Sequence, residues 1–403
     1  MTPPSALAPA VAPSPSGWRG NLLLLAAGTA AALLLLEVFL RLYNPLGVRI
    51  RGDRIVLPRN VRETMTNTTN SKLDPVIVFS KNSLGFRGPE PPRDFDQQLS
   101  ILVVGGSTTE CLFLSDGGSW PELLGRDLAR SFDRLWVNNA GLDGHSTFGH
   151  LLLLEQMVLR LRPRVIVFLV GLNDVGRELP TGREVVSGPR PFTERLARHS
   201  AIVANALDLR RNAEARSLSL GYREVDLATT RQLAADRPRA LALAKWHREH
   251  CLPGYRGRVQ ELVRACRSRG IEPVLMTQPA LYGEDRDDVT GVSLRWIEVE
   301  SRQHIHGGLA WRVLEEYNEV VRAVGREQDV LVIDLARLLP KSSRLYYDFV
   351  HFSNDGAHEV SALAAAELCP FLARRFPDHV ARPCSSGALR SPAPPSVPGP
   401  APR

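Results

Sequence analysis

Short, continuously apolar runs recur along most of this chain, and segments with a helical repeat of apolar positions lie between them. The runs interpreted as buried strands are Ile101–Val104, Leu135–Val137, Val165–Val170, Pro273–Met276 and Val330–Ile333. The segments with helical periodicity include Trp120–Arg130, His150–Leu161, Tyr255–Arg269 and Leu309–Glu327. Strands that alternate with helices form parallel sheets, and uninterrupted apolar runs are typical of strands covered on both faces. The pattern predicts an α/β fold with a flavodoxin-like, doubly wound, mainly parallel five-stranded sheet and helices on both faces.

Several stretches depart from this rhythm. Residues 1–20 are rich in Pro, Ala and Ser and are expected to be a disordered leader, and residues 383–403 are expected to be a disordered tail. Residues 44–98 are interpreted as a polar connector before an alternating domain at residues 99–382. Within that domain, residues 177–254 are rich in Arg and are interpreted as a helical insertion between the third and fourth strands.

One apolar run near the N-terminus, at residues 21–43, is long enough to cross a bilayer. It carries no charge from Leu22 to Leu36, and about twenty helical residues span roughly 30 Å. Glu37 and Arg41 are one helical turn apart at its end, where they can pair and reach the membrane surface. We expect an uncleaved transmembrane anchor because no A-x-A cleavage pattern follows the run. A cleaved signal sequence and a buried soluble helix are the alternatives.

The charges that flank this run bear on the orientation of the C-terminal domain across the membrane. Arg19 precedes the run, whereas Arg41, Arg49, Arg51 and Arg54 follow it. The positive-inside rule alone would leave the C-terminal domain in the cytoplasm, but a large domain translocates largely regardless of flanking charge.

The overall charge and the metal-binding residue types exclude some functional classes. The chain has 50 basic and 43 acidic residues, a formal charge of +7, and only four of the basic residues are lysine. The arginines are interleaved with acidic residues and form no stripe, so no nucleic-acid partner is expected. The five cysteines are far apart and include no CxxC, which argues against a disulfide framework and a zinc site. Four histidines lack acidic or Cys partners at ligand spacing and are interpreted as surface or loop residues: His247, His250, His304 and His306.

Polar residues and glycines follow four of the predicted strands. They are Ser107 after the first strand, Gly141 after the second, Asn173 after the third, and Asp348 with His351 after the fifth. Because parallel strands place their carboxyl ends at one edge of the sheet, we expect these segments to meet there. The three-residue spacing of Asp348 and His351 puts both side chains on one side of a helical turn. A hydroxyl, backbone N–H groups, an amide and a carboxylate–imidazole pair are the groups that nucleophilic acyl transfer requires.

In these segments the chain resembles the SGNH, or GDSL-type, hydrolase superfamily. The residues similar to its four motif blocks are Gly105-Gly106-Ser107, Gly141, Gly171-Leu172-Asn173-Asp174 and Asp348-Phe349-Val350-His351. Gly106 departs from the pattern, since the family usually has Asp there. Residues 82–90 (NSLGFRGPE) and the end of the apolar run resemble a bacterial membrane-anchored subgroup.

The resemblance implies a serine esterase that needs no metal or organic cofactor. Ser107 is then the nucleophile, His351 the base and Asp348 the residue that orients the imidazole. The Ser107 and Gly141 N–H groups and the Asn173 amide form the expected oxyanion hole.

The substrate expected from the resemblance and the anchor is an acyl or acetyl ester on an envelope carbohydrate or lipid, met by a domain on the exported side. Asp143 and His145 follow Gly141 closely and are candidate pocket-lining residues. An O-acyltransferase that forms the same acyl-Ser107 stays open, as does a non-catalytic envelope scaffold. A nucleotide- or flavin-binding protein is disfavoured because the chain lacks a GxxxxGK[ST] loop. The sequence does not indicate an oligomeric state.

Overall fold

A computed structural model describes residues 17–42, 50–51, 54–179, 200–206, 224–234, 237–300 and 305–384. Most of the expected leader, half of the 177–254 insertion and nearly all of the expected tail lie outside the described residues.

The strands of the central sheet alternate with helices along the chain as expected, and further short strands lie outside that sheet. The strands are β1 (Ile50–Arg51), β2 (Arg54–Ile55), β3 (Val61–Thr66), β4 (Val76–Lys81), β5 (Leu99–Gly105), β6 (Leu135–Asn139), β7 (Val165–Leu169), β8 (Glu272–Met276), β9 (Glu298–Glu300), β10 (Ile305–His306) and β11 (Val332–Ile333). The helices are α1 (Gly17–Leu42), α2 (Ser107–Glu110), α3 (Trp120–Leu128), α4 (Thr147–Leu153), α5 (Leu159–Leu161), α6 (Arg237–Trp246), α7 (Leu252–Arg267), α8 (Gly307–Gln328), α9 (Leu335–Leu338) and α10 (Asn354–Arg375). Residues 201–206 are also helical.

The central sheet has five strands in the order β11-β8-β7-β5-β6, and all of its neighbours run parallel. The first strand of this sheet along the chain, β5, therefore lies beside the third, β7, and the second, β6, lies at the edge. This is the strand order of a flavodoxin-like sheet. This confirms the predicted fold class. The order reverses between β5 and β7, so ligands are expected at the carboxyl ends of these two strands.

Alternate residues of β5 bury their side chains on opposite faces of the sheet. Leu99, Ile101 and Val103 belong to a core with α3 and α10. Leu102 and Val104 belong to a second core with α4, α7 and α8. Both faces exclude water, which explains why this strand is apolar at nearly every position.

The segment 44–98, interpreted from the sequence as a connector, contains an antiparallel hairpin of β3 and β4. It also contains Arg87, which pairs antiparallel with Asn139 at the edge of the main sheet. Short antiparallel strands with mixed polar and apolar positions give a weak sequence signal, because only one face is buried.

Helix α1 extends over Gly17–Leu42, and its segment Trp18–Leu42 is long and apolar enough to cross a membrane, with a mean hydropathy of 2.3. A signal sequence near an N-terminus can share these properties. Near the end of the helix, Glu37 accepts hydrogen bonds from Ala201 N at 2.7 Å, Ile202 N at 3.1 Å and Ser200 Oγ at 2.9 Å. The carboxylate therefore caps the N-terminus of the helical segment at residues 201–206.

A disulfide joins Cys369 in α10 to Cys384, which lies 15 residues further along the chain. The sequence argument against disulfides missed this pair, because an odd cysteine count does not exclude a single bridge. The other cysteines, Cys111, Cys251 and Cys266, are buried free thiols.

Candidate active site

Ser107 stands at the first position of α2, directly after β5. The following residues Thr108, Thr109 and Glu110 are buried, whereas Ser107 is partly exposed at the edge of the sheet. Residue 106 has to be small, because a Cβ on Gly106 would lie 2.3 Å from Asn173 Nδ2.

Asp348 and His351 lie between α9 and α10 and face Ser107. His351 Nε2 lies 2.8 Å from Ser107 Oγ, and His351 Nδ1 lies 2.6 Å from Asp348 Oδ2. The second carboxylate oxygen, Asp348 Oδ1, accepts the backbone N–H groups of Val350 at 2.8 Å and of His351 at 2.7 Å. These bonds hold the carboxylate in place, so the imidazole has one defined orientation.

One tautomer of the His351 ring fits both of these contacts. A carboxylate can only accept, so Nδ1 of His351 carries a hydrogen that it donates to Asp348. Nε2 of the neutral ring is then an acceptor for the Ser107 hydroxyl. The ring of Tyr347 stacks on the His351 ring with centroids 5.6 Å apart. Such an arrangement can move a proton from the hydroxyl to the imidazole as the oxygen attacks a carbonyl.

Asn173 follows β7 in a tight 3₁₀ turn, Leu172–Asp174, and its side chain reaches the loop after β6. The turn begins at Gly171, whose φ of +123° is a conformation that residues with a side chain rarely adopt. Asp174 is buried and accepts hydrogen bonds from Thr147 and Arg258, which holds the turn against α4 and α7.

The expected role of the Gly141 N–H needs a correction. This N–H donates to Asn139 Oδ1 at 2.8 Å, and a Cβ on Gly141 would lie 2.3 Å from the backbone nitrogen of Glu110. The group is therefore buried against α2 and already satisfied. Gly144, three residues later, is partly exposed and has a φ of +74°. Among the described residues no acceptor contacts its N–H. The sequence reasoning missed this glycine, although it follows the same strand.

Asp143 and His145, the two candidate pocket residues, each make a backbone hydrogen bond to a residue near Ser107. The Asp143 N–H donates to Glu110 Oε2 at 2.6 Å, and the His145 carbonyl accepts Asn173 Nδ2 at 3.0 Å. The His145 side chain is buried and that of Asp143 is partly buried. Glu110, which sequence reasoning missed, pairs in turn with Lys81 at 2.9 Å.

The histidines interpreted as surface residues take different positions. His247 is buried with its Nδ1 3.0 Å from the Tyr317 hydroxyl, which corrects the interpretation for that residue. His306 caps α8 by accepting the Leu309 N–H, His250 is exposed, and His304 lies outside the described residues. Within the described ranges, no three His, Cys, Asp or Glu side chains come together as a metal site. That the enzyme works without a cofactor stays a prediction.

Cys111 lies close to Ser107, but its thiol is expected to be unreactive. Its side chain belongs to the core on the α3 and α10 face. Burial raises the pKa of the Cys111 thiol to about 12. The thiol therefore stays protonated and is a poor nucleophile at neutral pH.

The fold and this cluster are those of an α/β hydrolytic enzyme with its polar groups at the carboxyl ends of parallel strands. The model of the GDSL-like lipase/acylhydrolase family matches residues 103–358. The chain belongs to this family, and it is accordingly a hydrolase that acts on ester bonds.

Solved structures similar to this chain include a lipase/acylhydrolase and an acetylxylan esterase, both of low sequence identity. A lipase/acylhydrolase from Enterococcus faecalis is 18% identical, with 68% of this chain and 96% of that chain covered and a TM-score of 0.38. An acetylxylan esterase from Geobacillus stearothermophilus is 16% identical, with 66% and 93% covered and a TM-score of 0.38. The comparison with curated proteins gives no match.

Proposed function

We propose that this chain is a serine esterase in which Ser107 is the nucleophile, His351 the general base and Asp348 the residue that orients the imidazole. The observation that carries this proposal is the position of the His351 ring. Its two nitrogens lie 2.8 Å from Ser107 Oγ and 2.6 Å from Asp348 Oδ2. The sequence motifs point to the same three residues, and the family membership supports an ester hydrolase.

The proposed reaction has two steps. Ser107 Oγ attacks the ester carbonyl carbon while His351 Nε2 takes the hydroxyl proton, and Asp348 stabilises the imidazolium. The tetrahedral intermediate expels the alcohol, which receives that proton from His351, and the acyl group stays on Ser107. Water then attacks the acyl-enzyme with His351 again as base, which releases the carboxylic acid and restores Ser107.

The proposed oxyanion donors are the Ser107 N–H, one hydrogen of Asn173 Nδ2 and the Gly144 N–H. Gly144 replaces Gly141 in this set because the Gly141 N–H is bound to Asn139. Three donors near one carbonyl oxygen would stabilise charge that appears only in the transition state.

The proposed substrate class is an acyl or acetyl ester on a carbohydrate or lipid of the cell envelope. It is supported by the apolar helix α1, which would hold the enzyme at a membrane as a single-pass protein, and by the family. Assays on acetylated glycans and on lipid esters test this part, and inertness of the active enzyme toward all of them would refute it.

The proposed location of the hydrolase domain, residues 99–382, is the exported side of the membrane. The Cys369–Cys384 disulfide supports export, because such bonds persist mainly in oxidising compartments. The contacts of Glu37 with residues 200–202 support a retained anchor, since cleavage of a signal would remove them.

Val289, which is 61% exposed, offers a position for an engineered cysteine that tests the location of the domain. Labelling of Val289→Cys in intact cells by a membrane-impermeant maleimide would agree with export, and labelling only after lysis would contradict it.

The decisive experiment treats the full chain in detergent with a fluorophosphonate and maps the adduct by mass spectrometry. We expect an adduct on Ser107 that is absent in Ser107→Ala. A folded wild-type protein without an adduct would refute an activated serine and would favour a non-catalytic scaffold. If the adduct forms, product analysis with and without sugar acceptors separates hydrolysis from acyl transfer, because both share the acyl-Ser107.

A further inference from the structure

The β3–β4 hairpin, Val61–Lys81, contacts both halves of the candidate site although it lies outside the family match at residues 103–358. One set of contacts reaches α2, which begins with Ser107. The other set reaches the loop that carries Asp348 and His351. The hairpin was unexpected from the sequence, which indicated only a connector.

On the Ser107 side, the hairpin contributes Lys81 at the end of β4. Lys81 Nζ lies 2.9 Å from Glu110 Oε1, and the exposed fractions of the two side chains are 5% and 0%. The other carboxylate oxygen of Glu110 accepts the Asp143 N–H at 2.6 Å. A single buried carboxylate thus ties the last residue of α2 to the loop that contains Gly144, and Lys81 neutralises its charge.

A second contact on the same side fixes the chain that follows α2. Ser80 N donates to Asp116 Oδ1 at 2.9 Å, and Asp116 N donates to the Val78 carbonyl at 2.7 Å. Arg87, just beyond the hairpin, is fully buried and donates to the carbonyls of Glu110 at 2.9 Å and Leu114 at 2.8 Å. The backbone after the nucleophile is therefore held from the hairpin side.

On the His351 side, the hairpin contributes the turn between β3 and β4. Lys72 Nζ donates to the carbonyl of Ser343 at 2.7 Å and to that of Tyr346 at 3.1 Å. Asp74 Oδ1 accepts Asn354 Nδ2 at 2.8 Å, at the first residue of α10. These bonds bracket the segment that holds Asp348 and His351 before and after it.

The distance between Ser107 and His351 depends on the positions of α2 and of the loop that carries His351, because the two residues are 244 positions apart and belong to different segments. A displacement of about 1 Å at a reacting pair can lower a rate by about 10²-fold. We infer that the hairpin is a positioning element of the active site, in which Lys81 acts through Glu110 and Lys72 acts through the carbonyls of Ser343 and Tyr346. This inference rests on the proposed function for its kinetic consequence only.

The test compares Lys72→Met and Lys81→Met with Lys245→Met in the full chain. Lys245 is the control for the loss of a lysine charge outside the hairpin, because its side chain is 72% exposed and lies on α6. Three quantities are measured: kcat and KM with p-nitrophenyl acetate, the rate of fluorophosphonate labelling, and hydrogen exchange of residues 107–114 and 343–351. All are taken at a temperature where each variant is folded.

For Lys72→Met and Lys81→Met we expect kcat and the labelling rate to fall by about 10- to 100-fold with KM nearly unchanged. Hydrogen exchange should rise in residues 343–351 for Lys72→Met and in residues 107–114 for Lys81→Met. Lys245→Met should behave like the wild type in all three measurements. If both hairpin variants keep wild-type kcat and wild-type exchange in these segments, the inference is wrong, even where the unfolding temperature falls.

The test remains decisive if a variant does not fold or if the wild-type enzyme is inactive. If Lys81→Met does not fold, the double variant Lys81→Met/Glu110→Gln replaces it, since removal of both charges avoids an unpaired buried carboxylate. If the wild-type enzyme neither labels nor turns over, the proposed function fails, and the exchange data alone decide the inference about the hairpin.

Discussion

Asn173 Nδ2 donates a hydrogen bond to the backbone carbonyl of His145 at 3.0 Å. This contact joins the loop after β7 to the loop after β6. A side-chain amide has two hydrogens on its nitrogen, so one orients the group and the second stays available for a ligand. The turn around Gly171 and the buried Asp174 fix the backbone of Asn173, so the amide does not have to be ordered during the reaction.

Substitution of Asn173 tests this role. We expect Asn173→Ala to lower kcat by about 10²- to 10³-fold with a small change in KM, because the lost donor acts on charge that develops in the transition state. Asn173→Asp has the same size and should be at least as slow, because its carboxylate repels an oxyanion. Steady-state kinetics with p-nitrophenyl acetate measure both variants. A kcat for Asn173→Ala within a few-fold of the wild type would remove Asn173 from the site.

Substitution of Gly141 tests its buried position. The added Cβ of Gly141→Ala would lie 2.3 Å from the Glu110 backbone nitrogen, so α2 or the loop has to shift. We expect a loss of about 1–3 kcal/mol in the free energy of unfolding, together with lower activity. Gly257→Ala in α7 is the matched control, because no atom lies within 4 Å of the added Cβ. That variant should gain about 0.4–1 kcal/mol, as is usual for glycine to alanine in a helix. Equal stability of Gly141→Ala and the wild type, by denaturant unfolding, would contradict the packing.

Acid should destabilise the fold through buried histidines. Burial lowers the pKa of His150 from 6.5 to about 3. Between these two values the unfolded chain binds a proton that the folded protein does not bind, so the stabilising contribution is complete above pH 6.5 and is lost as the pH falls toward 3. The free energy of unfolding should fall by up to about 1.4 kcal/mol per pH unit from this residue.

The measurement is denaturant unfolding at neutral pH and near pH 5. The variant His150→Leu lacks the titrating group and should show a weaker pH dependence than the wild type. His247, whose pKa burial also lowers, adds a dependence of the same sign that remains in the variant. Identical pH dependence of the two proteins would show that protonation of His150 is not linked to folding.

Loss of the disulfide should destabilise the C-terminal end of the domain. Cys369 and Cys384 are 15 residues apart, and closing a loop of about 15 residues is worth about 3 kcal/mol in the chain-entropy description. The variant Cys369→Ser/Cys384→Ser should unfold at a lower temperature by calorimetry, with little change in kcat. Thiol counting on the wild-type protein from intact cells provides a second check: reaction of all five cysteines after denaturation without reductant would contradict the bridge.

The sequence by itself determined the layered fold and the four segments at the strand ends. Strands such as β5 and β7 are buried on both faces, so each leaves a continuous apolar run in the sequence. The topology of parallel strands then places Ser107, Asn173 and His351 at one edge, whatever the details of packing. These features depend on local periodicity and on general rules of connection.

Only the tertiary structure decided which groups are available at that edge. Gly141 and Gly144 look alike in the sequence, and only the position of Asn139 and α2 shows that the first N–H is already bound. The ion pair of Lys81 with Glu110 and the Cys369–Cys384 bridge likewise have no local signal. Each joins residues whose proximity comes from packing, and short sequence patterns report burial and period but not the partner across the fold.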